Sequence, residues 1–226
     1  MVIRYVPVGV NDELSCCALI DVASTTSDTV VVGAWMTTSG FGEALSRLGY
    51  VRDEQGYPFR YSLLTPAGVR IVDVLGDADQ ESSEPAFPVF GLAKATRSVV
   101  DVTIELVGLG KASVRLPTLD GAFLLRCLAL ADGAAGLKFE DYARDAAAIG
   151  QLLLDDPSAL ALWRARSGET VRRAREIALP LFASSTGPGP LVVGQRAIGD
   201  RVLAARQAAV TFSDLFTRTG SRGSTG

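Results

Sequence analysis

The sequence GVRIVDVLGD, from Gly68 to Asp77, combines the pattern of a buried strand with one acid in its middle. Its apolar positions carry β-branched or aliphatic side chains that fit a sheet interior: Val69, Ile71, Val72, Val74 and Leu75. An unpaired carboxylate in such an interior costs several kcal/mol or becomes protonated. We therefore expect Asp73 to lie at the open edge of the strand beside a cation, donor hydrogens or water. A surface-facing aspartate on a half-exposed strand is the alternative.

The composition indicates a soluble globular protein. With 226 residues and 48% hydrophobic content, the chain can bury one full core, or one core and a smaller helical companion. The net charge of −3 gives no overall indication of nucleic-acid binding. The lack of histidine excludes histidine-based acid and base catalysis and most transition-metal sites. No signal peptide or membrane-length apolar run is visible, so we expect a cytoplasmic protein without membrane contact.

The chain from Asn11 to Thr26 has apolar residues at helical spacing behind a capping residue and predicts a helix with one buried face. Cys16 and Cys17 lie inside this run, where thiols act as small hydrophobes. A short buried strand follows from Thr29 to Val32. It ends at Gly33, where the backbone must turn or something must approach closely.

A helix and a hairpin follow. The helix runs from Phe41 to Leu48, with Gly49 as its C-cap. Phe59 to Leu64 is a strand whose hairpin partner is the Asp73 strand, joined through a turn at Pro66 to Gly68.

The next stretch contains an acidic loop and further strands. The run from Asp77 to Pro85 is acidic and polar, which is typical of a solvated loop. Beyond it, alternating apolar residues predict two or three strands that end at Pro117: Val100, Val102, Ile104, Leu106, Val114 and Leu116.

After Pro117 the composition changes to helix formers. The predicted helices are Thr118 to Asp132, which contains Cys127, then Lys138 to Leu154, two arginine-bearing helices within Pro157 to Phe182, and a last helix around Gly199 to Phe216. Ser184 to Pro190 is predicted to be a turn-rich linker.

Five segments, in this order, resemble the nucleotidyltransferases of the DNA polymerase β superfamily. They are VVVGAW (Val30 to Trp35), ALSRLGYV (Ala44 to Val51), VRIVDVL (Val69 to Leu75), VRLPTLDGAFLLRCLAL (Val114 to Leu130) and KFEDYARDAAAIGQLL (Lys138 to Leu153). The pattern is most similar to the AbiEii-like branch, which includes toxins of type IV toxin-antitoxin pairs and tRNA-modifying toxins. The match spans roughly residues 12–154.

The resemblance implies an α/β (α+β) fold, with a nucleotidyltransferase-like mixed sheet flanked by helices and followed by a C-terminal helical region. The corresponding ranges are 1–117 for the core and 118–219 for the helical region, with a disordered tail over 220–226. The implied activity is transfer of a nucleoside monophosphate from an NTP to an acceptor, with RNA as the acceptor we expect. Mg²⁺ is the implied cofactor because it neutralises the triphosphate. NTP, tRNA or other RNA, and a cognate antitoxin protein are the implied partners.

The same resemblance assigns site residues. Asp73 corresponds to the third metal-binding acid, and Gly33 and Ala34 correspond to a glycine motif that lets phosphate approach the backbone. Arg126 stands where lysine is usual, Asp145 matches the aspartate of the later helix, and Lys138 joins the nucleotide-binding set. The implied catalytic residues are therefore Asp73, Arg126 and Asp145, and we expect their side chains to converge on one cleft.

One part of the family pattern is missing. The family places a D-x-D strand between the glycine motif and the LGY helix, but this sequence has no acid between Asp28 and Glu43. One carboxylate cannot hold two magnesium ions. Either this protein has lost its active-site loop, or its complete form carries residues near Met36 and Thr37 that this chain lacks. The alternative function is a non-catalytic nucleotide- or protein-binding protein with the same fold.

The charged helices have simpler interpretations. Asp141 and Asp145, with Lys138 and Arg144, are typical of a helix face with ion pairs. The aliphatic part of Arg126 can extend along an apolar helix and leave the charge in water. The arginines between Arg164 and Arg175 are typical of a solvated face. Together with Trp163, they are alternatively an RNA-backbone site.

Overall fold

The computed structural model describes residues 16–19, 28–33, 39–66, 68–78, 87–106, 110–133 and 138–217. The chain forms two compact units, Met1–Thr118 and Leu119–Gly226. The boundary follows Thr118, next to the expected end of the sheet region at Pro117. We call the two parts the sheet unit and the helical unit.

The described strands of the sheet unit form one mixed sheet in the order β3-β4-β5-β2-β1-β8-β7, and β6 pairs with β5. β8 joins β1 at a single register position, Cys17 opposite Arg115, so β7 and β8 form a hairpin attached to the main sheet. The predicted mixed sheet is therefore confirmed. The strands are β1 Cys16–Leu19, β2 Asp28–Gly33, β3 Val51–Arg52, β4 Arg60–Thr65, β5 Gly68–Asp77, β6 Phe87–Val89, β7 Val99–Leu106 and β8 Gly110–Pro117.

The strand that carries Asp73, β5, lies inside this sheet between β4 and β2. It runs parallel to β2, with Val30 opposite Asp73, and antiparallel to β4, with Arg60 opposite Asp73. β6 lies on the same side of β5 as β4. It pairs with Leu75 to Asp77 of β5, beyond the point where Arg60 of β4 is opposite Asp73. The predicted hairpin around Pro66 is confirmed.

One face of β5 packs into the core of the sheet unit. The helix α1, Ser39–Arg47, ends with Gly49 at φ +86°, and the N–H groups of Gly49 and Tyr50 donate to the carbonyls of Ser46 and Leu45. This is a Schellman motif, so the predicted glycine C-cap is confirmed. The turn brings the chain back onto the sheet in a buried cluster of Leu45, Tyr50, Tyr61, Val72 and Val74. Because side chains alternate along a strand, burial of Val72 and Val74 places Asp73 on the opposite face.

The helical unit consists of α3 Leu119–Gly133, α4 Phe139–Asp155, α5 Pro157–Ala165, α6 Glu169–Phe182, α7 Pro188–Arg196 and α8 Arg201–Thr217. A short α2, Leu92–Ala95, belongs to the sheet unit. The core of the helical unit is aromatic and includes Phe123, Trp163, Phe182, Phe212 and Phe216. Asp156 caps α5 by accepting the N–H groups of Ser158 and Ala159. The predicted helices after Pro117 are confirmed.

Two predictions about secondary structure were wrong. Cys16–Leu19, expected in a helix from Asn11 to Thr26, is the strand β1, with Cys16 opposite Gly33 of β2. Periodicity alone does not distinguish a helix from a buried strand in a short apolar run. In this protein, pairing with β2 makes the segment a strand. The predicted linker Ser184 to Pro190 gives way to α7 at Pro188, because proline is compatible with the first turn of a helix. The rest of the Asn11 to Thr26 segment and the predicted disordered tail lie outside the described residues.

Close packing of α7 gives a test of the helical unit. A Cβ added at Gly189 would lie 2.5 Å from the ring of Phe182. Replacing glycine by alanine inside a helix ordinarily stabilises it by about 0.5–1 kcal/mol, whereas overpacking costs about 1–3 kcal/mol. We predict that Gly189→Ala lowers the urea midpoint of unfolding followed by circular dichroism at 222 nm. The exposed Leu191→Ala is the control, and a Gly189→Ala midpoint at or above that of the control would contradict this packing.

Candidate functional site

Asp73 forms a two-point ion pair with Arg60 across the β4–β5 hairpin. The Arg60 Nε donates to Asp73 Oδ1 at 2.7 Å, and Nη2 donates to Oδ2 at 2.8 Å. The Asp73 side chain is 13% exposed and that of Arg60 29% exposed. The expected cation beside Asp73 is therefore the guanidinium of its cross-strand neighbour.

Arg60 also lies against an aromatic ring. Its guanidinium carbon is 5.0 Å from the centre of the Tyr57 ring, a cation–π distance. Tyr57 stands on the β3–β4 loop, where Asp53 Oδ1 accepts the N–H groups of Gln55 and Gly56. The hydrogen bond from Gly56 is the main cause that lowers the pKa of the Asp53 carboxyl, because it stabilises the ionised form.

This geometry does not fit the magnesium site that the resemblance implies. Magnesium takes an octahedral shell of oxygen ligands, and both oxygens of Asp73 already accept hydrogen bonds from Arg60. Within the described ranges, no group of three histidine, cysteine, aspartate or glutamate side chains is placed to hold a metal ion. In this structure, Asp73 is paired with the guanidinium of Arg60.

The glycine motif is described only in part. Gly33 ends β2, beside the strand that carries Asp73. Ala34 and the segment at Met36 and Thr37, where a missing D-x-D strand was inferred, lie outside the described residues. The assignments of Gly33 and Ala34 to phosphate binding stay predictions.

The structure brings together two of the predicted residues in the helical unit. Arg126 of α3 pairs with Asp145 of α4 at 3.2 Å, with side chains 17% and 6% exposed. The guanidinium of Arg126 also lies 5.5 Å from the centre of the Tyr142 ring. Arg126 is therefore held by a carboxylate and a ring, and the 17% exposure of its side chain leaves it limited contact with water.

The remaining charges of α4 give a mixed result. Asp141 pairs with Arg144 at 3.0 Å, so the predicted ion pair on this helix face is confirmed for these two residues. Lys138 is exposed at the start of α4, where its carbonyl accepts the N–H of Tyr142. Its role in nucleotide binding stays a prediction. Asp73 belongs to the sheet unit, so its convergence with Arg126 and Asp145 stays a prediction too.

Two residues of the arginine-bearing helices do not fit the hypothesis of an RNA site. Trp163 is fully buried and its indole N–H donates to the carbonyl of Leu215 at 3.0 Å, so this ring is part of the core and presents no face to a base. Arg172 pairs with Glu169 and, at 2.8 Å, with Glu176. Hydrogen bonding to Glu169 is the largest cause that raises the pKa of Arg172. Ion pairs on an exposed helix face favour the solvated-face interpretation.

Cys127 of α3 is a free cysteine, and it is fully buried in the helical unit. Burial raises the pKa of its thiol well above the ordinary value, because the thiolate would lose its hydration. A neutral thiol buried in this way packs as a small hydrophobe.

Arg60 and Tyr57 were not predicted as site residues, although the sequence contained a signal for Arg60. The turn at Pro66 sets Thr65 opposite Gly68, and the same register continues outward to Arg60 opposite Asp73. Counting along the predicted hairpin therefore identifies Arg60 as the partner of Asp73. Tyr57 had no comparable signal, because the shape of the β3–β4 loop determines its position.

Comparisons with known proteins identify no similar protein at a significant level. No model of a protein family matches the chain, and neither a curated protein nor a solved structure matches it at a significant level. Among the described helices, none is at once long enough and apolar enough to cross a membrane. The resemblance to nucleotidyltransferases therefore rests on the order of the sequence motifs alone and stays a prediction.

The energetic role of the Arg60–Asp73 pair can be measured by a double-mutant cycle. We predict that Arg60→Ala, Asp73→Ala and the double variant give a coupling energy of about 1–3 kcal/mol, because both groups are largely removed from water and charged hydrogen bonds are worth this much. The matched control is the Glu43–Arg47 pair of α1, whose side chains are 70% and 77% exposed. That pair should give under about 0.5 kcal/mol. Equal coupling in the two pairs, measured by chemical denaturation, would contradict the structural role of Asp73.

Proposed function

We propose that this protein is a non-catalytic binding protein whose motifs follow the order found in nucleotidyltransferases. The observation that carries this proposal is the two-point pairing of Asp73 with Arg60. The residue that best matches a metal-binding acid is already occupied by a guanidinium. A carboxylate in this state serves the stability of the hairpin.

Recruiting Asp73 to a metal would disrupt that pair. A magnesium ion bound to Asp73 would compete with the guanidinium of Arg60, whose side chain is 29% exposed, for the same carboxylate and would weaken their charge-assisted hydrogen bonds. Losing such hydrogen bonds costs about 1–3 kcal/mol. The missing D-x-D acids would normally offset such a cost through further metal bonds, but the sequence has no acid between Asp28 and Glu43.

The charges of the helical unit support the same proposal. Arg126, which corresponds to a nucleotide-binding lysine, is paired with Asp145 and covered by Tyr142. A guanidinium already neutralised by a buried carboxylate attracts phosphate weakly. The acid and the cation that the resemblance assigns to catalysis, Asp73 and Arg126, are therefore each paired with an opposite charge of the same unit.

Metal-dependent nucleotidyl transfer is the second candidate. It is favoured by the position of Asp73 on the strand directly beside β2, the strand that ends in Gly33. On this candidate, a complete protein with additional acids would use Mg²⁺ and an NTP in the cytoplasm. Its acceptor would be tRNA or another RNA, and an antitoxin protein would bind it.

A transfer assay separates the two candidates. The chain is incubated with tRNA, Mg²⁺ and each of the four α-³²P-labelled NTPs, and label in the RNA is measured. We predict no incorporation above the protein-free background, because Asp73 is engaged by Arg60.

A CCA-adding enzyme is the positive control. Asp73→Asn is compared with Glu43→Gln, which removes an exposed acid of α1. Label that appears with the wild type and is lost only in Asp73→Asn would overturn the proposed function. Label that is retained in both variants would overturn it as well, because the chain would then catalyse transfer without Asp73.

A further inference from the structure

Three aromatic side chains form a row on the sheet unit. The ring centres of Tyr57 and Phe59 are 5.8 Å apart, and those of Phe59 and Phe87 are 5.1 Å apart. Tyr57 is 54% exposed and Phe87 is 41% exposed, while Phe59 is partly buried between them. Large exposed aromatic residues that touch one another are typical of a binding surface. We call these three residues the aromatic row.

The aromatic row is held by the backbone around it. The carbonyl of Phe59 accepts the N–H of Val74 in β5, and the carbonyl of Tyr57 accepts the N–H of Arg60. Phe87 belongs to β6 and stands opposite Leu75 of β5. Because all three residues are tied to β5 or to the neighbouring β4, little ordering entropy remains to be lost when a ligand binds.

The surroundings of the aromatic row are acidic. The sheet unit contains nine lysine and arginine residues and fourteen aspartate and glutamate residues. On the loop that carries Tyr57, Asp53 closes the turn and Glu54 is 76% exposed. The pairs Arg52–Glu54 and Arg60–Asp73 largely cancel in charge, so the negative balance comes from Asp53 and from the excess of acids over the whole unit. This balance favours a cationic ligand and repels phosphate.

The row already receives one cation from its own chain, since the guanidinium of Arg60 lies 5.0 Å from the centre of the Tyr57 ring. Aromatic rings attract guanidinium and ammonium groups through the negative potential of their faces. The distance between neighbouring ring centres, 5.8 Å and 5.1 Å, corresponds to about two residues of extended peptide at roughly 3.3 Å per residue.

We propose that the aromatic row, Tyr57, Phe59 and Phe87, docks a basic, arginine-containing segment of a partner protein. Its arginine side chains lie on the exposed aromatic faces, and the acidic surroundings supply the long-range attraction. This inference rests on the proposed binding function and names the chemistry of the partner.

The test is fluorescence anisotropy with fluorescein-labelled nona-arginine as the probe, at about 0.15 M salt so that distant charges are screened. Each exposed cation–π contact contributes about 0.5–1 kcal/mol, so the Tyr57→Ala/Phe87→Ala variant should bind about tenfold more weakly than the wild type. This change removes no charge, so it leaves non-specific attraction to the acidic protein intact. Leu203→Ala, at a 61% exposed leucine of α8, is the control and should bind as the wild type does.

Two further variants keep the test independent of folding. Tyr57→Phe retains the ring and should retain binding, whereas Tyr57→Leu retains bulk without a ring and should weaken it. Equal affinity of the wild type and the Tyr57→Ala/Phe87→Ala variant would overturn the inference. Binding of labelled oligouridine that depends on the same two rings would overturn it as well, in favour of nucleic acid. Neither result concerns Asp73, so the transfer assay decides separately on the proposed function.

Discussion

The ion pair between Arg60 and Asp73 is the constraint around which the sheet unit is arranged. Val72 and Val74 must face the buried cluster with Leu45 and Tyr61, so strand alternation directs Asp73 to the other face of β5. A carboxylate that is 13% exposed needs a partner there, and the β4–β5 hairpin supplies Arg60 directly opposite. A shift of one residue in the register would expose the valines and separate the two charges.

The same pair links the fold to the proposed function. Arg60 holds Asp73 with two hydrogen bonds and extends over Tyr57, which begins the aromatic row. A side chain that matches a metal-binding acid is thereby turned into a structural element next to an exposed aromatic surface. In the helical unit, Arg126 is held by Asp145 and Tyr142 in a similar way. Charged residues that suggested catalysis are thus satisfied within the chain, and the exposed rings are what an outside partner can reach.

Elements with strong local signals could be predicted from the sequence. The helices after Pro117, the Gly49 cap and the Pro66 hairpin all have start, stop or turn residues at the required positions. β1 could not be predicted, because four apolar residues fit a helix and a strand equally well until β2 pairs with them. The burial of Trp163 and the pairing of Arg126 depend on which helices meet in space, and local pattern does not contain that information.

The most direct test of this account is whether Asp73 can bind a metal ion. In protein labelled with ¹³C at the aspartate carboxyl carbons, the Asp73 resonance is assigned by its loss in Asp73→Asn and followed while Mg²⁺ and then Mn²⁺ are added. The account predicts that the resonance neither shifts with Mg²⁺ nor broadens selectively with the paramagnetic Mn²⁺, because both carboxylate oxygens are held by Arg60. A saturable shift with Mg²⁺, together with selective broadening at Asp73 by Mn²⁺, would contradict it.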